Sequence, residues 1–297
     1  MAGNAKGVKS QSALKIPVFT TGFETLIHPT LPGRFFFKMR ILNQNLFRLG
    51  LIFAPLFHLR WVGEKTFIQQ FDSDTKLKMR VNTYDRLAAY EVWGLEEYKD
   101  KQFIIDSADV VIDIGAHIGS FSVWAARQAP NGRVYAFEPN DENHVFLVEN
   151  KKLNNLTNLE TFNLAVSDKD GEASFFNSDH LSMSHSFFET GAENTTTVRT
   201  VSLAGIFEAN HIERVNYLKI DAEGAEYLIV LNTPPEVLSK VDKIFIEFHD
   251  YLDHGHHYKD IENYLSANGF QVEMGRSFLF RYIFKQGFIK AIRIKAS

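Results

Sequence analysis

The sequence predicts an α/β fold with a mostly parallel sheet covered by helices on both faces. Val110–Ile114 is an apolar run that suits a buried parallel strand, and a glycine turn and a helical segment follow it. Arg133–Phe137 is a second short apolar strand, and the acid at its end, Glu138, lies 25 residues after the acid of the first strand. That spacing is typical of one strand–helix–strand unit. Val215–Ile220 repeats the pattern with Asp221 at its end.

A glycine-containing turn joins the first strand to its helix. Gly115 permits a tight turn at a point where a Cβ would block the approach of a ligand. Gly119 precedes a helix that we predict over residues 120–128. The unpaired N–H groups and the positive dipole end of that helix favour binding of a polar ligand in the turn.

The glycine spacing distinguishes two cofactor classes. A dinucleotide-binding turn needs G-x-G-x-x-G, but only His117 and Ile118 stand between Ala116 and Gly119, so the middle glycine is absent. An acid at the end of the strand followed by G-x-x-x-G suits a ligand with an amino-acid head group. The turn therefore favours S-adenosylmethionine over a dinucleotide, and an NAD-dependent oxidoreductase is the first alternative.

Two further strand ends carry side chains that suit an adenosine. Glu138 can accept hydrogen bonds from both ribose hydroxyls. Pro139 ends that strand because it has no N–H to donate. Residues 161–168 have the same strand-to-loop form, and Asn163 could contact the edge of an adenine.

Four motifs resemble those of FkbM-type S-adenosylmethionine-dependent methyltransferases. They are Asp113–Gly119, Phe137–Pro139, Ala165–Gly171 and, above all, Leu218–Glu226 with the sequence L-K-I-D-A-E-G-A-E. The resemblance runs from about Phe67 to the C-terminus. It implies a Rossmann-like class I methyltransferase fold with seven strands, and methylation of hydroxyl oxygens on acceptors that include glycans and polyketides. The predicted cofactor site comprises Asp113, Gly115, Ala116, His117, Gly119, Glu138, Pro139, Asn163, Ala165 and Asp221.

Acids end several of the predicted strands. Because ligands bind at the carboxyl ends of the strands in open α/β sheets, four acids should converge on one crevice: Asp113, Glu138, Asp221 and Glu247. An alcohol ionises too weakly near neutral pH to be methylated without a base. The candidates for that catalytic role by position are Asp221, Glu223 and His249.

Residues 178–197 form an irregular stretch that is rich in Ser, His, Asn and Thr. A loop of this length inside a compact domain is often functional. We therefore predict that Ser184, His185 and Ser186 contact the substrate, together with Glu247 at the end of the strand 243–247. The alternative is an exposed surface loop.

The run His249–His257 holds four of the eleven histidines of the chain and two aspartates. Imidazole and carboxylate groups together could bind a divalent metal. The spacing matches no closed zinc pattern. We therefore predict a solvated loop, and the sequence predicts no metal site.

The resemblance implies one FkbM-like domain over residues 67–297, and length and charge agree with a basic, aromatic-rich N-terminal extension over residues 1–66. Residues 1–60 hold eight Lys and Arg against Glu24 alone, a net charge of +7 within a chain of formal charge −4. No apolar run there approaches the ~18 residues that a membrane span requires. Residues 34–60 could instead lie on an anionic membrane surface, or pack on the domain or on a second subunit in a homo-oligomer. A non-catalytic, membrane-associated protein with the same fold is the second alternative.

Several classes are excluded or disfavoured by composition. The 297-residue chain contains no cysteine, which excludes disulfides and thiolate chemistry. Its nearly neutral charge gives no electrostatic argument for nucleic acid. Met1–Gln11 is polar and basic without a following apolar region, which predicts no cleaved secretory signal. We predict a cytoplasmic enzyme whose partner is a small-molecule or glycan hydroxyl acceptor.

The remaining elements are predicted from their periodicity. Thr66–Gln70 and Lys76–Val81 alternate enough to form a hairpin. Tyr84–Tyr98 is predicted as a helix, a position that covers the cofactor in related folds. Near the C-terminus, residues 270–273 and 289–294 predict an antiparallel pair that closes the sheet, with Lys290 and Arg293 as charges on an edge strand.

Overall fold

The computed structural model describes residues 65–81, 83–176, 195–250, 255–275 and 285–294. The chain divides into two compact units, Met1–Asn82 and Thr83–Ser297, whereas the sequence sets the boundary after residue 66. The predicted contact of residues 34–60 with a membrane and the predicted substrate residues at 184–186 lie outside the described residues. None of the helices in the described ranges has the length and apolarity needed to cross a membrane.

The described part of the first unit is the predicted hairpin. Strand β1 (Thr66–Gln70) pairs antiparallel with β2 (Lys76–Arg80). Asp72 stabilises the turn because its Oδ1 accepts hydrogen bonds from the N–H groups of Asp74 and Thr75, at 2.9 and 2.7 Å. A side chain that bonds to its own turn in this way is the usual reason for Asp at such a position.

The second unit alternates helices and strands. In chain order its elements are α1 (Asp85–Trp93), β3 (Val110–Ile114), α2 (Ser120–Gln128), β4 (Arg133–Phe137), α3 (Asp141–Leu153), β5 (Leu159–Phe162), β6 (Ala165–Ser167), β7 (Gly171–Phe176), β8 (Thr195–Ser202), α4 (Leu203–Ala209), β9 (Val215–Ile220), α5 (Glu226–Asn232), α6 (Pro235–Leu238), β10 (Val241–His249), α7 (Tyr258–Ala267), β11 (Phe270–Gly275) and β12 (Gln286–Arg293).

The main sheet has seven strands in the order β11-β12-β10-β9-β3-β4-β5. Strand β12 runs antiparallel to both of its neighbours, and the other pairs are parallel. The chain proceeds from β3 to β4 and β5 on one side, and later to β9 and β10 on the other. The strand order therefore reverses between β3 and β9, the point at which such sheets bind ligands. A smaller sheet has the order β6-β8-β7.

Both faces of the main sheet are covered by helices, as predicted. On one face, Leu218 and Ile244 join the buried cluster formed with α4, α5 and α7. On the opposite face, the ring of Tyr217 lies 5.7 Å from that of Phe121 on α2. Neighbouring residues of one strand thus point to opposite faces and are both buried. Burial on two sides explains why the central strands are continuous apolar runs.

Two predictions about the elements are wrong. The predicted helix 84–98 ends at Trp93, because Gly94 lies against the ring of Tyr90 and Glu96 adopts a left-handed backbone with φ +52°. Lys290 is not an edge charge, since β12 lies between β10 and β11. Its amine instead donates to Asp100 at 2.6 Å. Periodicity could not show either effect, because the first is a local backbone change at Gly94 and Glu96 and the second depends on how strands that are distant in sequence pair.

Gly115 begins the turn after β3 with φ +76°. A Cβ at this position would overlap the backbone carbonyl oxygen of Asp221, which follows β9. The sequence attributes the need for glycine to the approach of a ligand. The structure shows a second reason, which is the close approach of the neighbouring backbone.

We expect Gly115→Ala to destabilise the protein much more than Gly255→Ala. Gly255 has the same φ of +76° but no atom within 4 Å of an added Cβ, so its substitution costs only the left-handed backbone, about 1–2 kcal/mol. The overlap at Gly115 adds about 1–3 kcal/mol. Urea unfolding of both variants measures the difference, and equal losses would contradict this account.

Candidate functional site

A cleft lies at the carboxyl ends of β3, β4 and β9. Its empty volume is about 880 Å³, a figure that includes the open solvent at its mouth. The lining residues come from α1, the turn after β3, the start of α2 and the ends of β4 and β9. They include Ala88, Glu91, Val92, Gly115, Ala116, His117, Ser120, Phe121, Glu138, Pro139, Asn143, Ala165, Lys219, Asp221, Ala222 and Glu223.

The structure brings most of the predicted cofactor residues to this cleft. Those on its wall are Gly115, Ala116, His117, Glu138, Pro139, Ala165 and Asp221. Asp113, Gly119 and Asn163 do not line it. The amide nitrogen of Asn163 instead lies 3.5 and 3.4 Å from the backbone oxygens of Glu138 and Pro139. Ala88, Glu91 and Val92 of α1, the segment that the sequence predicts to cover the cofactor, form part of the wall.

The backbone of the turn after β3 is already hydrogen-bonded. The N–H groups of Gly115 and Ala116 both donate to the carbonyl oxygen of Phe137, each at 3.0 Å. The N–H of His117 donates to Oε2 of Glu138 at 2.7 Å, from a left-handed conformation with φ +53°. These three N–H groups are therefore used in hydrogen bonds within the protein, where they fix the shape of the cleft wall.

Glu138 is a buried carboxylate on the wall, with 5% of its surface exposed. Besides His117, it accepts hydrogen bonds from the N–H of Asn140 at 3.0 Å and from the amide of Asn143 at 3.3 Å. Three of its approximately four acceptor positions are thus used. Burial raises the pKa of Glu138 to about 7, although the hydrogen bonds from Asn140 and His117 lower it.

Ser120 is a site residue that the sequence did not reveal. It is the first residue of α2, it lines the cleft, and 4% of its surface is exposed. Its hydroxyl oxygen is buried without a hydrogen-bond partner among the described residues. Buried hydroxyls are normally hydrogen-bonded. An unpaired hydroxyl on a cleft wall therefore points to a polar atom of a ligand.

Lys219 is a buried cation at the switch point between β3 and β9. Its amine lies 3.2 Å from Oδ1 of Asp113 and 3.4 Å from Oδ2 of Asp221. Burial would lower the pKa of Lys219, but the two carboxylates outweigh it and raise that pKa above its ordinary value. Asp113 also accepts a hydrogen bond from Ser122. The sequence feature that could have identified Lys219 is a single charged residue in a short, mostly apolar strand.

Glu226 organises the loop that follows β9. Its carboxylate is fully buried and accepts hydrogen bonds from the N–H groups of Ala222 and Gly224, at 2.9 and 2.8 Å. Oε1 also lies 2.9 Å from Nδ1 of His249 on β10. One side chain thus holds the loop and the histidine together. The sequence feature that could have identified Glu226 is its position at the end of the motif L-K-I-D-A-E-G-A-E.

The three predicted catalytic residues, Asp221, Glu223 and His249, lie together. One ligand atom from each is within 4.8 Å of the others. Asp221 and Glu223 line the cleft, whereas His249 is buried behind them with Nε2 3.7 Å from Oε2 of Glu223. Burial would lower the pKa of His249, but the carboxylates of Glu223 and Glu226 outweigh it and raise that pKa.

Two other predicted features lie outside the cleft wall. Glu247 accepts a hydrogen bond from the amide of Gln286 at 2.7 Å. That amide also lies 3.3 Å from Nε2 of His249.

In the histidine-rich run, His256 stacks on Tyr227, and the side chain of His257 caps α7. Within the described ranges, these two histidines therefore serve the packing and capping of helices.

Comparisons with known proteins agree on the class of the chain. Residues 113–272 match the family model described as the methyltransferase FkbM domain. Hexuronic acid methyltransferase AglP of Haloferax volcanii is 26% identical over 191 residues, which cover 62% of this chain and 75% of that protein. Methyltransferase 1 of Beauveria bassiana is 22% identical over 188 residues, 56% of this chain and 74% of that protein.

Solved structures with a similar arrangement include M. jannaschii TYW2 in complex with AdoMet. It is 16% identical, the alignment covers 80% of this chain and 90% of that one, and the TM-score is 0.39. The fibrillarin pre-rRNA processing protein of Methanococcus jannaschii is 12% identical, with coverage of 79% and 91% and a TM-score of 0.45.

We expect Glu226→Gln to lower the free energy of unfolding by about 2–4 kcal/mol. The amide would turn its NH₂ toward one of the three donors and remove a buried negative charge beside His249. Glu236→Gln is the matched control, because Glu236 is exposed on α6 and such changes stay within about 0.5 kcal/mol. Denaturant unfolding compares the two, and similar small losses would show that Glu226 does not organise the loop.

Proposed function

Because the chain belongs to the FkbM family of S-adenosylmethionine-dependent methyltransferases, we propose that it methylates a hydroxyl oxygen of a sugar, a glycan or another small molecule. The observation that carries this proposal is that Asp221 and Glu223 form part of the same cleft wall as Glu138 and Ser120. When bound, S-adenosylmethionine supplies an activated methyl group to the acceptor oxygen. The protein has to bind both molecules, exclude water and allow the hydroxyl proton to leave.

The residues on one part of the wall fit the cofactor. Glu138 keeps roughly one acceptor position after its three internal hydrogen bonds. We therefore assign it a single ribose hydroxyl rather than the two that the sequence suggests. Ser120 supplies a hydroxyl that has no partner within the described residues. The turn from Gly115 to His117 is the proposed wall around the methionine moiety.

Acceptor activation is assigned to Asp221, Glu223 and His249. Asp221 and Glu223 are on the cleft wall and can meet an acceptor directly. His249 is buried and acts through Glu223, so it is a positioning residue in this proposal. A sugar acceptor is supported by the relative from Haloferax volcanii, which is a hexuronic acid methyltransferase. The family match does not support the NAD-dependent oxidoreductase that was the first alternative.

The ribose assignment predicts a pH dependence of cofactor binding. A ribose hydroxyl donates to the carboxylate form of Glu138, whose pKa is about 7. Affinity for S-adenosylhomocysteine should therefore rise as pH increases through about 7, and fall below it as Glu138 becomes protonated. Calorimetry at several pH values measures this. Glu138→Ala should bind about tenfold more weakly at pH above about 8 and should lose the pH dependence.

Glu236→Ala is the control for this binding experiment, because Glu236 is exposed on α6 and does not line the cleft. Unchanged affinity in Glu138→Ala would contradict the ribose assignment. Preferential binding of NAD by the wild-type protein would overturn the proposed function.

The activation assignment predicts that catalysis and cofactor binding separate. We expect Glu223→Gln to lower turnover by about 100-fold with an identified acceptor, because the group beside the hydroxyl loses its charge. Affinity for S-adenosylhomocysteine should stay within a few-fold. Steady-state kinetics and calorimetry on the same preparation measure both quantities, with Glu236→Gln as control. Full turnover in Glu223→Gln would show that the acceptor is activated elsewhere.

A further inference from the structure

Three side chains at the end of the cleft have the composition and spacing of a metal site. We infer that Asp221, Glu223 and His249 bind a divalent cation of the magnesium and manganese class. The inference rests on the proposed function, since it names the agent that activates the acceptor hydroxyl. The cluster joins the ends of β9 and β10. It combines His249, the first residue of the histidine run for which the sequence predicts no metal site, with two carboxylates that lie outside that run.

The distances suit a single ion. One ligand atom from each residue lies within 4.8 Å of the others, and Nε2 of His249 is 3.7 Å from Oε2 of Glu223. Adjacent ligands of an octahedral ion at about 2.1 Å from its centre lie about 3.0 Å apart, and opposite ligands about 4.2 Å apart. Side-chain movements of about 1 Å would therefore bring all three into coordination.

A supporting hydrogen bond already orients the imidazole. Histidines that bind metals usually donate their second ring N–H to a carboxylate, which fixes the ring and the tautomer. Nδ1 of His249 lies 2.9 Å from Oε1 of Glu226, and Glu226 is itself held by the N–H groups of Ala222 and Gly224. This arrangement leaves Nε2 on the side of Glu223. The amide of Gln286 lies 3.3 Å from Nε2 and would have to move away before an ion could bind there.

The surrounding charge favours a cation. Within the described residues, the network at the ends of β3, β9 and β10 has more carboxylates than cations. The carboxylates are Asp113, Asp221, Glu223, Glu226 and Glu247, and the cations are Lys219 and, when protonated, His249. Buried charges are stable when they are paired or coordinate a metal. A divalent ion would offset much of this excess.

The ligand types select the class of ion. Carboxylate oxygens suit magnesium and manganese, and one imidazole is also accepted by manganese and heavier divalent ions. Three protein ligands leave about three positions of an octahedron for water or substrate. Because Asp221 and Glu223 line the cleft, an acceptor oxygen in the cleft can take one of them. Coordination would lower the pKa of the hydroxyl, whose proton leaves to water. Its oxygen then forms a bond to the methyl carbon as the carbon–sulfur bond of S-adenosylmethionine breaks and S-adenosylhomocysteine leaves.

Manganese binding to the full chain tests this inference without relying on activity. The free Mn²⁺ signal in electron paramagnetic resonance is followed as protein is added, in the presence of S-adenosylhomocysteine. We expect about one Mn²⁺ per chain with a Kd of about 1 mM or tighter, and displacement by excess Mg²⁺. Glu223→Gln and Asp221→Asn should each weaken binding at least about tenfold, and Glu236→Gln should bind like the wild type.

The inference is overturned if Mn²⁺ does not bind at millimolar concentration, if both site variants bind as well as the wild type, or if Mg²⁺ does not compete. Circular dichroism of each variant confirms that a loss of binding is not a loss of fold. Calorimetry with S-adenosylhomocysteine on the same samples separates the two proposals. Cofactor binding without Mn²⁺ binding rejects only the cation site, whereas Mn²⁺ binding without cofactor binding rejects the proposed function.

Discussion

The buried ion pair between Lys219 on β9 and Asp113 on β3 joins the two strands on which the site depends. The amine stands between Asp113 at the end of β3 and Asp221 after β9. Removing such groups from water costs several kcal/mol per ion, and only close pairing offsets it. The pairing therefore requires these strand ends to stay close together, at the place where the strand order reverses. Gly115 meets the same requirement, because no Cβ fits between the two backbones.

The cleft has two ends that separate networks hold in place. At one end, Glu138 is fixed by backbone and side-chain donors from the turn after β3 and the start of α3. At the other end, Glu226 fixes the loop after β9 and orients His249. Within the described residues, these two sets of hydrogen bonds share no residue, so a substitution in one set removes no contact of the other. Lys219 lies between them and contacts Asp221.

Strands that are buried on both faces were predicted well. For β3, β4 and β9, a short apolar run ended by an acid allows few alternatives, because each residue must suit a buried position. The start of α2 was predicted for a similar reason, since Gly119 permits the left-handed backbone at its cap. The end of α1 and the place of β12 were not predicted. Helix α1 ends where the ring of Tyr90 packs on Gly94, a contact that periodicity does not mark. Strand β12 is inserted between β10 and β11, and its pairing with β10 joins residues that are distant in sequence.

By itself, the sequence determined that Glu138 and Asp221 end strands of one open sheet, because strand–helix–strand units place those ends at the same edge. The prediction that Glu247 ends its strand is wrong, since β10 continues to His249. The tertiary structure decided which of the acids face the cleft. Asp113 turns to Lys219 and Glu247 to Gln286, while Glu138 and Asp221 lie on the wall. It also brought His249 to Glu223 across two strand ends. The physical reason is that a buried polar group is oriented by the partner that satisfies it, and that partner is fixed only when the elements pack.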